Sequence, residues 1–267
     1  MSGACLFDKA KLKQSFGHAS VSYDLHADLQ REIGCALLES VDLLQCQDVL
    51  LDLGCGTGFF TRELLLRLKD SDAATVVAVD IAEAMLHEAR RKLSTADRVG
   101  YLCADADYLP FAKQSLNAVF SNLAFQWSSN PEALFAELFR IIKPKGLLAF
   151  STFGPGTLQE LKTAWLEVDG YRHINEFYHS EQLNDALHTA GFSNILISEK
   201  TYCRFYDSVL ALMHELKKLG AQNVLFGRSK GLTGRWQMQK MINAYEKERV
   251  GGKIPATFSA IWVSAVA

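Results

Sequence analysis

The chain has 267 residues, 49% hydrophobic and 22% charged, with a formal net charge of −2. That length buries a full core in one large domain, and the balance is that of an ordinary globule rather than of a disordered or fibrous protein. No apolar run reaches the roughly 18 residues that a membrane span requires, and MSGACLFDKAKLKQSF lacks the apolar core of a signal peptide, so a cytoplasmic location with no membrane partner is expected.

Residues 9–16 and 24–44 read as two helices ahead of the first strand. Strands then alternate with amphipathic helices: strands at 48–53, 75–80, 98–103, 116–121 and 146–153, helices at 57–69, 82–93 and 131–142. The last of these helices ends at the stop signal KPKG, residues 143–146. Such alternation predicts an α/β fold with a mostly parallel sheet covered on both faces, whose ligands lie beyond the carboxyl ends of the strands. After residue 153 the pattern changes to helices at 157–168 and 180–190, a strand at 194–206 and a final strand at 256–267. Between those two strands about 50 residues read as helices 208–219 and 233–248, an expected lid or side wall. The chain is therefore expected to be one domain: N-terminal helices (1–46), a cofactor-binding core (47–153), a substrate-side insertion and helix (154–192) and a basic helical lid (207–255).

The most informative stretch is LDLGCGTGF, residues 51–59. An apolar strand closes on Asp52, and Gly54, Gly56 and Gly58 follow at alternate positions before a helical pattern begins. Glycine allows positive φ and lets a ligand approach the main chain without a Cβ in the way. Dinucleotide sites space their glycines GxGxxG to seat a pyrophosphate, whereas the spacing here is GxGxG, with an acid that would repel a phosphate and suit an ammonium group. The pattern resembles the first motif of class I S-adenosyl-L-methionine (SAM) methyltransferases, in which the acid lies near the methionine amino group. The resemblance implies a Rossmann-like, seven-stranded fold with SAM as cofactor and S-adenosyl-L-homocysteine as product.

The other strand ends extend this reading. Asp80, ending the second strand, suits the two hydroxyls of a ribose, with Ile81 and Met85 placed to pack on the adenine. In ADADYLPF (104–111) the resemblance gives Asp105 the adenine amino group and the Ala106 N–H a ring nitrogen, and in SNLAFQW (121–127) it passes Asn122 beside the methionine moiety. Cys55, inside the glycine loop, is a small packing residue beside the cofactor rather than a nucleophile.

The flanking motifs FGHASVSYDLHADLQ (16–30), NLAFQW, FSTFGPGTLQEL (150–161), HINEF (173–177) and LKKLGAQN (216–223) resemble the malonyl-acyl-carrier-protein O-methyltransferases of biotin synthesis over most of the chain. Membership implies methylation of the free carboxylate of a malonyl thioester on acyl carrier protein. A carboxylate is already ionised at neutral pH, so the reaction asks for positioning and water exclusion rather than a general base. His173 and Asn175 are the first candidates to contact the acceptor, with Tyr23, Gln126 and Trp127 at the same mouth and Arg172 and Arg204 in reserve. Between Thr201 and Lys253 ten Lys or Arg stand against four acids, a local charge of +6 that leaves the remainder at −8. Lys217, Lys218, Arg228, Lys230 and Arg235 are expected to include the dock for the acidic carrier.

The six cysteines are scattered without CxxC pairs or histidine partners, so neither a disulfide framework nor a metal site is expected. A methyltransferase of a free small carboxylic acid such as aconitate, or of a quinone-type ring, is the rival reading, and a SAM-binding protein without turnover is a more distant one. Nucleic-acid methylation is disfavoured because the tetrad that presents a flipped base is replaced by SNLAF.

Overall fold

The computed structural model describes residues 7–42, 48–68, 74–221 and 234–267. Two helices open the chain, α1 (Lys9–Ala19) and α2 (Asp28–Ser40), joined through a 3-10 turn at Tyr23–Leu25. The alternating core follows: β1 (Val49–Leu53), α3 (Phe59–Arg67), β2 (Thr75–Asp80), α4 (Glu83–Lys92), β3 (Val99–Cys103), β4 (Leu116–Asn122), α5 (Pro131–Ile141) and β5 (Ile142–Phe153). The chain then forms α6 (Gln159–Leu166), α7 (Ser180–Ala190), β6 (Ser193–Tyr206), α8 (Val209–Lys218), α9 (Arg235–Tyr245) and β7 (Ile254–Val266).

The seven strands form one sheet in the order β3-β2-β1-β4-β5-β7-β6. β1 to β5 pair in parallel, and β7 runs antiparallel to both neighbours. β1 reads VLLDL because a central strand buried on both faces needs apolar side chains on both. β6 lies at the edge, exposed in succession from Ser198 to Thr201, and charged Glu199 and Lys200 there discourage pairing with another chain. One face of the sheet packs on Ile33 and Leu37 of α2, Leu64 of α3 and Trp165 of α6; the other packs on Phe135 and Leu138 of α5 and Leu187 of α7. The Trp262 indole of β7 donates to the Ile33 carbonyl (2.8 Å), tying α2 to the far half of the sheet.

Local chemistry sets the boundaries. The Asp8, Asn130 and Ser208 side chains each accept a backbone N–H in the first turn of α1, α5 and α8, and Pro131 supplies the first residue of α5. Gly191 ends α7 at φ +108°. Two sequence expectations shift. KPKG does not separate α5 from the next strand: β5 begins at Ile142 and runs through it, the extra residues being absorbed by a register shift opposite Leu116 and Ala118. The helix expected over 24–44 is confined to α2, because the chain first turns at Tyr23–Leu25 to lay that segment across the strand ends.

Among the described residues no helix is long and apolar enough to cross a membrane, and no group of three or more His, Cys, Asp and Glu is placed to hold a metal ion.

Candidate functional site

Two connected spaces lie beyond the carboxyl ends of β1, β2 and β4. The first is a narrow cleft of about 90 Å³. Gly54, Gly56, Asp80, Ile81, Met85, Asp105, Ala106 and Asn122, all expected at the cofactor, line it. Gly54, Gly56 and Gly58 all have positive φ (78°, 53° and 84°). A Cβ on Gly54 would come within 2.4 Å of the Ala124 Cβ, while one on Gly56 would meet no atom within 4 Å, so the loop packs on one side and leaves open space on the other.

Asp80 accepts backbone N–H groups from Gly56 (3.0 Å) and Ala82 (2.8 Å), one on each oxygen. Burial nevertheless pushes its carboxyl up to about 6, those N–H groups pulling the other way. Asp52 and Cys55 do not line the cleft. The Asp52 carboxylate lies beneath the loop, 1% exposed, where it accepts the Thr61 hydroxyl (2.6 Å). Burial raises it to about 7, the Thr61 bond opposing and the Asp80 charge adding to the rise. Cys55 packs with Ala78 and Leu86, and burial next to the two acids pushes its thiol well up, leaving it unreactive.

The cleft is roofed by the N-terminal segment. Lys9 pairs with Asp105 (2.9 Å) and Asp107 (3.0 Å), and the Phe7 and Phe16 rings stand edge-on to Trp127 at 5.7 and 5.5 Å. Asp24 fixes the other end through Lys92, Arg31 and the Thr57 hydroxyl (2.6 Å).

The second space is a mostly apolar cavity of about 730 Å³ between β5, α6, α8 and the segment following α6. Tyr23, Gln126, Trp127, His173 and Asn175, the residues expected around the acceptor, line it, and so does Lys217, which was expected in the carrier dock. His173 stacks on Trp165 (centroids 3.7 Å apart, planes at 7°) and its Nε2 meets Asp169 at 2.9 Å. Arg172 does not line the cavity and pairs with Glu176 (3.2 Å). Arg204 does not line the cavity either: it pairs with Glu32 of α2 beside the Tyr202 ring. Lys218 and Arg235 sit outside the cavity, at the end of α8 and the start of α9, and Arg228 and Lys230 lie outside the described residues.

Phe16, Tyr23, Leu123 and Trp127 line both spaces and form the wall between them. Leu123 is held at φ +53°, a left-handed conformation unusual for leucine, by its N–H bond to Ser151 O (3.0 Å). Burial, with Asp80 and Asp24 close by, pushes the Tyr23 phenol far up, so the hydroxyl remains a neutral donor. Sequence reading passed over Lys9, Trp165 and Asp169, whose roles exist only in three dimensions; Phe16 and Gln30 stood inside a quoted motif without being singled out.

The family described as methyltransferase domain matches residues 51–150, the stretch from the glycine loop to β5. The chain is 41% identical over 251 residues to the malonyl-(acyl-carrier protein) O-methyltransferase of Methylococcus capsulatus, covering 94% of this chain and 88% of that protein. It is 37% identical to the protein of the same name from Nitrosospira multiformis, covering 96% and 88%. The chain belongs to the malonyl-(acyl-carrier protein) O-methyltransferase family. It also matches the biotin biosynthesis bifunctional protein BioHC of Cellvibrio japonicus at 41% identity, spanning 97% of this chain but only 50% of that longer protein. Among solved structures, the YcgJ protein of Bacillus subtilis (TM-score 0.60, 15% identity, 87% of this chain and 97% of that one) and a methyltransferase-like protein of Bacillus halodurans (TM-score 0.59, 17%, with the same coverage) share the fold.

SAM is the cofactor of this family's fold, and the cleft suits it. Bare main chain at Gly56, apolar Ile81 and Met85, and the acids Asp52 and Asp80 at the glycine turn fit a positively charged nucleoside and would repel a pyrophosphate.

Proposed function

We propose that this chain transfers the methyl group of SAM to the free carboxylate of a malonyl group carried on acyl carrier protein. The observation that carries this reading is the wall between the two spaces. Its four side chains, Phe16, Tyr23, Leu123 and Trp127, include no group suited to take a proton at neutral pH. Such a junction serves an acceptor that arrives already ionised; methylation of a carbon or a hydroxyl would ask for a base there.

When bound, SAM supplies an electrophilic sulfonium methyl. The chain's part is to align the acceptor oxygen with that methyl and to exclude water that would solvate the carboxylate. Gly54, Gly56, Asp80 and Asn122 would hold the cofactor, with Asp105 and Ala106 at its adenine end. Asp52, lying below the loop, acts on the cofactor's charge through space and by bracing Thr61 at the start of α3. Tyr23, His173 and Asn175 would orient the acceptor with neutral or weakly cationic contacts, since a tightly neutralised carboxylate is a poor nucleophile. The cleft is smaller than the roughly 300–1,000 Å³ of a small-molecule site, so the Lys9–Phe16 roof moves outward to admit the nucleoside. Lys217 at the cavity rim, with Lys218 and Arg235 further out and Arg228 and Lys230 between them in sequence, forms the proposed carrier dock. The helices between β6 and β7 would serve as the lid.

Mass spectrometry of malonyl-carrier incubated with the protein and SAM tests the reading. A gain of one methyl, removed by an esterase, is expected. Methylation of free diacids such as aconitate in preference to malonyl-carrier would instead favour the small-molecule rival.

A further inference from the structure

We propose that His173 is a hydrogen-bond acceptor for the carrier arm: its Nδ1 takes the amide N–H that follows the thioester, and Asp169 is the positioning residue that keeps that nitrogen bare. This contact rests on the acceptor reading above and deepens it, since it says which part of the malonyl-carrier the side chain meets.

The ring is held on two sides. One face stacks on Trp165, and Nε2 meets Asp169 Oδ1 at 2.9 Å, an oxygen that also accepts the Tyr171 N–H (3.0 Å). Burial works to raise the Asp169 carboxyl, but those two bonds outweigh it and hold the group below the ordinary aspartate range, so it is a carboxylate at neutral pH. A carboxylate accepts and cannot donate. The proton between the two groups therefore sits on Nε2, and the neutral ring leaves Nδ1 with its lone pair. Nδ1 has no hydrogen-bond partner among the described residues and is not shut off from solvent. His173 lines the larger cavity and Asp169 does not, so the open nitrogen belongs to the cavity and the carboxylate lies behind it.

Position selects the ligand atom. The carboxylate that receives the methyl group has to reach the wall shared with the cofactor cleft, where Tyr23 offers a neutral hydroxyl donor. His173 lines the cavity alone and takes no part in that wall. A lone pair there repels a carboxylate and attracts an N–H. In a carrier-borne malonyl group the thioester sulfur continues through two methylenes to a secondary amide, whose N–H is the first donor on the arm. Other acceptors around the cavity are taken: Gln126 Oε1 accepts the Thr152 hydroxyl (3.4 Å), a Glu215 oxygen accepts the Tyr206 hydroxyl (2.7 Å), and Gln30 Oε1 is closed off. A free diacid has no such N–H, so this contact separates carrier-borne from free acceptors.

The test compares two small malonyl thioesters, that of N-acetylcysteamine and its ester analogue with oxygen in place of the N–H, in the wild-type protein, His173→Phe and Asp169→Asn. Phenylalanine keeps the stack on Trp165 and removes both nitrogens. Wild-type kcat/KM is expected to favour the amide about 3- to 10-fold, as for one hydrogen bond between neutral groups. The preference falls to about one in His173→Phe and shrinks in Asp169→Asn, while calorimetric affinity for SAM stays at the wild-type value in both. Nitrogen-15 spectra of the ring at pH 8 show the proton on Nε2 and a bare Nδ1 in the wild type, and both tautomers in Asp169→Asn. Equal wild-type turnover of the two thioesters, a preference that survives in His173→Phe, or a proton on Nδ1 in the wild type overturns the proposal. A purely structural role for the cluster, which also overturns it, lowers both turnovers alike and leaves their ratio unchanged. The wild-type ratio and spectrum need no substitution, so they decide the matter even where a variant does not fold. Absence of malonyl-carrier methylation by the wild-type protein removes the acceptor reading itself, a result distinct from turnover without preference.

Discussion

At the scale of single residues, Asp52 and Asp80 set a pH signature. Their carboxyls stand at about 7 and about 6 in the folded protein, above the 3.8 of an ordinary aspartate, so the folded state keeps protons that the unfolded chain releases. Their contribution to stability is fully present below about pH 4 and is lost as pH rises through 6 and 7. Asp52→Asn removes the larger part and still lets Thr61 donate to the side chain. The variant is expected to melt about 3–10 °C higher than the wild type at pH 8 and equally at pH 4, read by calorimetry without cofactor. The same substitution weakens SAM binding at pH 8. A variant no more stable at pH 8 than the wild type counts against a buried, strained carboxylate. His173 gives a second residue-scale outcome. His173→Ala is expected to lower methyl transfer about tenfold or more while leaving the SAM dissociation constant nearly unchanged. Loss of SAM affinity instead would move His173 from the acceptor to the cofactor.

At the scale of elements, β1, β2 and β4 with the turns that follow them were legible because buried parallel strands and glycine turns leave short-range marks: VLLDL before three glycines, and VVAVD ending in an acid. The acceptor side was less so. HINEF belongs to no regular element, and its place depends on Trp165 of α6 stacking on His173, a contact that neither segment announces alone. Arg172 and Arg204 illustrate the same limit: charge and neighbourhood in sequence suggested the acceptor, but each lies outside the cavity with a carboxylate partner. α8 is the element that joins cavity and surface: Met213 and Leu216 line the cavity, and Lys217, which also reaches it, ends the helix with Lys218. The double variant Lys217→Glu/Lys218→Glu is expected to raise KM for malonyl-carrier several-fold at low salt, to lose most of that effect in high salt, and to leave a small malonyl thioester unaffected. Equal effects on both acceptors would place the two lysines in the cavity chemistry rather than in docking.

At the scale of the whole molecule, the order of elements was readable and their assembly was not. Alternation from β1 to β5 follows from pattern, but the position of the final strand between β5 and β6 is a matter of long-range pairing that sequence periodicity does not encode. Nor does it show that the segment around Phe16 and Tyr23 bridges two spaces, because that wall joins the N-terminal segment to a turn some hundred residues later. The central placement of β7 has a temporal consequence. β6 emerges from the ribosome some 50 residues before β7, its one partner strand among the described residues, so during synthesis its backbone has no ladder to join and the edge of the sheet beyond β5 waits unassembled. Phe258, which lines the larger cavity, arrives on that same late strand. The nascent chain can thus complete its glycine turn and its five parallel strands well before the larger cavity has its last wall.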